Sequence, residues 1–472
     1  MCDSVITHAS GVLAAGHLGE LTQVVPFELV DQALASAGGL QCRIRRLPSR
    51  VVVYLLMAGA LFTGLGWVRV WSRLTASLPV SLPAPAPSSI TAAMRRVGPK
   101  PLKALFDLVK GPAAVTATQA ARFAGRLVVA IDGTQIPLPD TPANLLVFPK
   151  ATAGPNGPAG YPMLRLVALV ACGTRTLLDA VFGTDATGEL TYARNLVTTA
   201  GATGALRPGM LLLGDRNFSA TGFIADLAST GADFLIRAKT HSTALKLPIL
   251  HRLPDGTYLS HVGGVPVRVI DATITSTPAG PTGPTGPTDT HTVTHDTYRL
   301  LTSLLDPGEA PATGLVRLYH ERWEIETSYC ELKSTILGGR VLRGRHPAAI
   351  TQETWALLTA YQTLRTAMSD AVLHQPNIDP DRAAFTIALN AAREQITRAA
   401  SITAHTPIDL IGRIGAAILD NLLPTRRTRT RPRIKKRAIN SKYRAIGRDT
   451  DHRTRKTTIQ ITTNPLPNPP DG

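Results

Sequence analysis

The chain has 472 residues, 44% of them hydrophobic, with a formal charge of +17. Such a length supports two or three domains with real cores, and the hydrophobic share is that of a soluble protein. Cys2, Cys42, Cys172 and Cys330 form no Cys-x-x-Cys pair, which excludes a zinc ribbon or a disulfide framework and fits a reducing cytosol. The positive excess favours a polyanionic partner, either nucleic acid or an acidic membrane surface.

The N-terminus lacks the basic-then-apolar layout of a signal peptide. Residues from about Glu20 to Leu105 read as helical. Val30–Ala37 is one predicted helix, and Leu47-Pro-Ser-Arg50 opens a long apolar one with Ser49 as its N-cap. Val51–Val68 holds eighteen uncharged residues between Arg50 and Arg69, the lower bound for a membrane-spanning helix. Gly59, Gly64 and Gly66 interrupt it, with Tyr54 and Thr63. The preferred reading is therefore a buried helix of an N-terminal helical domain, residues 1–120. Val68–Leu78 continues it, Pro79–Pro87 breaks the chain, and Ser89–Val97 and Pro101–Leu108 are short helices.

A β-rich texture begins near Arg126. Leu127–Ile131 is a predicted strand ending at Asp132-Gly133-Thr134, and Leu164–Ala171 and Leu177–Phe182 follow, joined at Gly173. Glu189–Ala200 reads as a helix. Met210–Gly214 is a strand ending at Asp215, Gly222–Ser229 a helix, and Phe234–Arg237 a strand. Interleaved strands and helices predict an α/β domain with a mixed sheet over 121–238 and 299–370. Residues 239–298 read as a β-rich insertion, with short strands such as Val265–Ile270 and Thr290–Thr294 around a loose Gly280–Thr288 loop of Gly-Pro-Thr triplets. The sheet resumes at Arg299–Leu305. Pro347–Ser369 is a long helix, and 371–424 holds the C-terminal helices.

Thr425–Lys456 carries fourteen Lys and Arg against two Asp. It buries too little to fold alone, so residues 425–472 read as a basic, disordered tail for phosphate backbones.

Tyr319, Arg322, Glu326 and Lys333 stand at offsets 0, 3, 7 and 14. On a helix turning about 100° per residue they fall within an arc of about 60°. A plain amphipathic helix would place aliphatic residues there; an aromatic hydroxyl, two cations and a carboxylate suit metal and phosphate. Asp132 and Asp215 each follow an apolar strand, and neighbouring strand ends bring carboxylates together. Such a set suits hard divalent ions, a pair of which can activate the attacking oxygen and stabilise the leaving one. Asp140, Asp179 and Asp185 are rivals that follow less clean strands. Arg322 and Lys333, roughly 16 Å apart along a helix axis, would contact different phosphates. Trp323 and Trp355 read as core.

The four-residue signature resembles that of the IS4-type insertion-sequence transposases, complete in residue type and spacing. The likeness covers most of residues 30–370 and implies the ribonuclease-H-like core of the DDE transposases. It implies two Mg²⁺ or Mn²⁺ ions on Asp132, Asp215 and Glu326. Tyr319, Arg322 and Lys333 would contact DNA, Tyr319 as a positioning group and not as a nucleophile. The N-terminal domain would bind terminal inverted repeats, and the products would be cut 3′ ends joined to target DNA. A homodimer on double-stranded DNA in the cytoplasm, at the bacterial nucleoid and away from membranes, is implied as well. Some relatives stack a flipped base on a Trp of the insertion. None of Trp67, Trp71, Trp323 and Trp355 lies there, and Tyr258 is the aromatic that could substitute; a hairpin step stays open. The alternatives are a ribonuclease-H-like nuclease without strand transfer and a non-catalytic DNA-binding derivative.

Overall fold

The structure is a computed structural model. It describes residues 17–41, 43, 45–76, 83–113, 121–151, 160–240, 244–278, 294–373, 375, 378–398, 412–424, 429–430 and 455–464. The Gly280–Thr288 loop, most of the basic tail, Cys2 and Cys42 lie outside them.

In chain order the helices α1 (Phe27–Ser36), α2 (Ser49–Leu61), α3 (Trp67–Leu74), α4 (Pro87–Val97) and α5 (Lys100–Val109) come first. The strands β1 (Arg126–Pro137), β2 (Met163–Ala171) and β3 (Leu177–Thr184) precede α6 (Glu189–Ala202). Then come β4 (Met210–Gly214), α7 (Thr221–Ser229), β5 (Asp233–Arg237), β6 (Tyr258–Val262), β7 (Val265–Pro278), β8 (Thr294–Thr302) and α8 (Ala312–Leu318). The last are α9 (Trp323–Cys330), α10 (Pro347–Leu373), α11 (Phe385–Arg398), α12 (Gly412–Asp420) and β9 (Arg455–Thr463). The chain is thus α/β, with helices before the first of these strands and again between β8 and β9. It divides into two compact units: Met1–Ala151, Gly160–Leu206 and Trp323–Pro424 form the first, and Thr152–Ala159, Arg207–Arg322 and Thr425–Gly472 the second.

In the first unit the apolar stretch at Val51 is a core helix. Twelve of the thirteen residues of α2 are buried, the chain leaves the helix at Phe62, and α3 starts at Trp67. Among the described residues no helix is long and apolar enough to cross a membrane. Ser49 is the first residue of α2 and not its cap; Pro48 holds the cap position without a side-chain bond, as suits a residue whose fixed φ favours a helix start. The long α10 supplies polar side chains to neighbouring helix ends. Gln352 Nε2 donates to the Met94 and Gly98 carbonyls, and Gln362 Nε2 to those of Val109 and Gly111. These bonds tie α10 to the C-terminal ends of α4 and α5, where the Met94 carbonyl also takes the Gly98 N–H and the Val109 carbonyl is one of the last of its helix.

The first unit's strands form an antiparallel meander, with Asp132 opposite Ala168 on β2 and Ala168 opposite Ala180 on β3. The predicted strand end at Asp132 is corrected: β1 runs five residues further, paired as far as Pro137 with Met163. Continuous burial stops at Ile131, with Ile136 buried again near the end of the strand, while the ladder continues without a break, and a sequence reports burial more directly than pairing. The β2–β3 turn needs left-handed backbone at Gly173 (φ 86°) and at Arg175 (φ 57°). For Arg175 that geometry is strained, and its side chain is correspondingly tied down, as described below.

In the second unit β4 and β5 are parallel, joined through α7. Strand β5 pairs antiparallel with β8, β8 with β7, and β7 with both β6 and β9. The sheet is therefore mixed, and the β-rich insertion is part of it. No break separates insertion from core at Arg299, because β8 pairs with β7 along its whole length and with β5 from Leu300 to Thr302. Within the expected disordered tail, residues 455–463 form β9 against β7. Asn464 closes it, its backbone N–H donating to the Asp271 carbonyl at 2.8 Å. The run Thr457-Thr-Ile-Gln-Ile-Thr-Thr463 has the β-branched content of a strand.

Candidate active site

The signature segment is not one uniform helix. Tyr319–Arg322 is a 3-10 turn, Trp323–Cys330 is α-helical and Glu331–Ile336 is a π-helix. These types turn by different angles per residue, so the single 100° wheel, and the 60° stripe drawn on it, does not describe the segment. Arg322 ends the part that belongs to the second unit, and Trp323 begins the part that belongs to the first.

In the first unit Asp132 is half-buried, and its Oδ1 accepts from the Gly133 N–H at 2.8 Å. Helix α9 lies against β1. The Tyr329 hydroxyl donates to the Asp132 carbonyl at 2.6 Å and accepts from the Ala168 N–H at 3.1 Å. One phenol thus spans the rung that pairs the two strands at Asp132. Burial pushes the Tyr329 hydroxyl well above its ordinary pKa, and the Asp132 charge adds to the rise, so it stays protonated. Glu326, half-buried, precedes Tyr329 by three residues on α9. Lys333, in the π-helix, donates from Nζ to Thr134 Oγ1 at 3.1 Å, and burial lowers its pKa.

The rest of α9 is clamped by buried charge. Arg175 Nε donates to Glu324 at 2.6 Å, its Nη1 to Glu331 at 3.2 Å and its Nη2 to Asp381 at 2.7 Å. Glu331 also takes Arg365 and the Tyr361 hydroxyl. Trp323 faces outward, 39% exposed, and corrects the expectation of a core residue; Glu324, Ile325, Ser328 and Tyr329 form the buried face instead. Trp355 is core, against Phe106 and Phe182.

In the second unit Asp215 follows β4 and caps a short 3-10 turn, Oδ1 accepting from the Asn217 N–H at 2.7 Å. Tyr319 and Arg322 are buried. The Tyr319 ring meets Tyr298 edge-on at 6.0 Å, and Arg237 lies over the Tyr298 ring at 3.9 Å. Burial raises the Tyr319 pKa, Arg322 opposes the rise and Asp215 adds to it, which places Asp215, Tyr319 and Arg322 in one electrostatic neighbourhood. Tyr258 is only 4% exposed, so its ring is not offered to a base.

The rival acids are engaged. Asp179 pairs with Lys110, Asp185 with Arg165 and Asp140 with Lys150. Sequence reasoning missed Tyr329 and Glu189. The first residue of α6, Glu189 leans on Gly133, where an added Cβ would lie 2.0 Å from its Oε1. The only signal was their nearness in sequence to the signature and to a helix start. Among the described residues no group of three His, Cys, Asp or Glu side chains is gathered closely enough to hold a metal ion. The candidate donors Asp132, Asp215 and Glu326 are all carboxylates, the hard oxygen chemistry that fits Mg²⁺ or Mn²⁺ and not a thiolate-seeking metal.

Residues 123–362, about half of the chain, match the family model described as transposase DDE domain, and the chain belongs to that family. It is a DNA transposase, an enzyme with a ribonuclease-H-like mixed-sheet core that depends on divalent metal. Residues 15–107 match the model described as insertion element 4 transposase N-terminal, which marks the IS4 type. The chain is 27% identical over 412 residues to transposase InsG for insertion sequence element IS4 of Escherichia coli strain K12, covering 87% of this chain and 90% of that one. It is 28% identical over 175 residues to the putative transposase InsZ of the same strain, covering 37% of this chain and 58% of that one. A solved piggyBac transposase synaptic complex with hairpin DNA aligns over 86% of this chain and 85% of that chain, at 10% identity and a TM-score of 0.41.

Proposed function

We propose that this transposase cuts the 3′ ends of its element and joins them to target DNA, with Asp132, Asp215 and Glu326 as its catalytic acids. The observation that carries the reading is the tie between the elements of two of them: Tyr329, one turn from Glu326, is bonded to the backbone of Asp132. Asp132 and Glu326 come from the first unit and Asp215 from the second.

The three carboxylates would hold two Mg²⁺ or Mn²⁺ ions, which activate a hydroxyl and stabilise the departing oxygen when bound. In the first step the oxygen of water bonds to the scissile phosphorus, and the bond from phosphorus to the 3′ oxygen breaks. In the second the oxygen of the freed 3′ hydroxyl bonds to a target phosphorus as the bond from that phosphorus to the target's own 3′ oxygen breaks, so one phosphodiester replaces another without an energy-rich cofactor. Phosphoryl transfer is mostly positioning and charge stabilisation. Arg322 offers a planar fork to phosphate oxygens, Lys333 a point charge, and Tyr319 a positioning hydroxyl. Residues 1–120 would bind the terminal inverted repeats, residues 425–472 would add basic contacts to the phosphate backbone, and synapsis of two ends would need a homodimer.

The test is a cleavage and strand-transfer assay on labelled end DNA with Mg²⁺. Glu326→Ala is expected to abolish both steps and to leave end binding largely intact. Normal cleavage by that variant would refute the assignment. Cleavage by the native chain without joining of a supplied 3′ hydroxyl end would reduce the activity to hydrolysis.

A further inference from the structure

We propose that Tyr329 is a positioning residue of the cleavage reaction, whose hydroxyl sets the helix bearing Glu326 against the strand bearing Asp132. The inference rests on the reading of those two acids as catalytic, and Tyr329 lies outside the four-residue signature.

The geometry is specific. Residues three apart on an α-helix share a face, so the side of α9 that presents Tyr329 to β1 also carries Glu326. The phenol both donates and accepts: it gives its proton to the Asp132 carbonyl and takes the Ala168 N–H. Two bonds to two different strands fix both the distance and the direction of the hydroxyl. Asp132 and Ala168 are themselves a register pair, so the contact falls on the rung of the acid and not on a neighbouring one. The ring is 5% exposed, which holds it in one orientation.

The other buried bonds of this segment serve a different purpose. Glu324 and Glu331 reach Arg175 in the β2–β3 turn and Arg365 on α10. They anchor α9 and the π-helix that follows it to the body of their unit, whereas Tyr329 reaches the residue whose carboxylate must be placed. Misplacement of a reacting group by about 1 Å can cost roughly 100-fold in rate. Loss of the hydroxyl should therefore appear in catalysis and metal use before it appears in DNA affinity.

The experiment compares the full-length chain with Tyr329→Phe, and with 4-fluorophenylalanine at position 329, which fills the space of the hydroxyl but cannot donate. End binding, cooperative unfolding, cleavage rate and the Mg²⁺ concentration for half-maximal rate are measured. The expected result is native-like unfolding, end binding within about twofold, a cleavage rate lower by about tenfold or more, and a severalfold higher Mg²⁺ requirement. Installing 4-aminophenylalanine, which restores a donor and an acceptor, should recover most of the rate. Native rate and Mg²⁺ requirement in both variants would overturn the proposal, as would failure of both to fold, which would assign the hydroxyl to folding alone. Glu326→Ala run in parallel separates the two levels. If it cleaves normally, the acid assignment falls; if it is inactive while both Tyr329 variants behave as native, only the role of Tyr329 falls.

Discussion

Lys333 Nζ donates to Thr134 Oγ1 at 3.1 Å, two residues along β1 from Asp132. Side chains two apart on a strand share a face, so the last cation of the signature is held on the face from which Asp132 projects. Burial lowers the Lys333 pKa, which means its charge is poorly hydrated and a phosphate beside it would be a better partner than a hydroxyl.

Lys333→Gln is accordingly expected to weaken binding of end DNA and to remove one phosphate contact. In a plot of log affinity against log salt the slope should fall by about one. Fluorescence anisotropy across a salt series reads this directly, and an unchanged slope would take Lys333 off the DNA.

The Arg175–Glu324 pair makes a stability prediction. Glu324 is fully buried, and Arg175 also serves Glu331 and Asp381. Arg175→Met would take the guanidinium away from a buried carboxylate, and breaking a buried pair from one side costs about 3–5 kcal/mol. A fall of the calorimetric midpoint by several degrees is expected; a loss under about 1 kcal/mol would show the network to be well solvated.

At Gly59 in α2 two effects oppose each other. Alanine gains about 1 kcal/mol in helix propensity, but its Cβ would lie 2.3 Å from the Trp67 ring. That ring stacks under Arg343 at 4.1 Å, and Arg343 is bonded to Glu353 and to the Gly59 and Leu65 carbonyls. It has little room to yield, so overpacking of about 1–3 kcal/mol should prevail. Gly59→Ala should melt earlier than the native chain; a higher midpoint would show that Trp67 can move.

Acid should destabilise the N-terminal helices through His17. Burial lowers its pKa, partly offset by the Leu74 backbone. The unfolded chain then binds the proton more readily, so stability falls as pH drops below about 6.5 and levels off below the folded pKa. His17→Asn should flatten that part of a urea-unfolding profile between pH 7 and 5, and an unaltered profile would assign the acid sensitivity elsewhere.

Much of the fold was legible because burial and period mark it. Met210–Gly214 was read to the residue, and Glu189, Thr221 and Pro347 start helices within one residue of where the pattern put them. Errors arose where pairing outlasts burial, as in β1 beyond Asp132, or where the backbone changes helix type without changing composition, as at Glu331–Ile336. Side-chain partners that join distant segments carry no local signal. Nothing near Tyr329 indicates the Asp132 carbonyl, and nothing near Glu324 indicates Arg175, 149 residues away. The signature residues were legible as a spacing; what holds them in place was not.

The most direct test of the proposal that Asp132, Asp215 and Glu326 serve one metal site replaces Mg²⁺ with Fe²⁺ on the DNA-bound protein and maps where hydroxyl radicals cut the polypeptide. Cuts clustered around residues 132, 215 and 326, all weakened together by Asp215→Asn, are the expected result. Cuts elsewhere in the chain, or cuts near Asp132 that persist undiminished in both Asp215→Asn and Glu326→Ala, would contradict it.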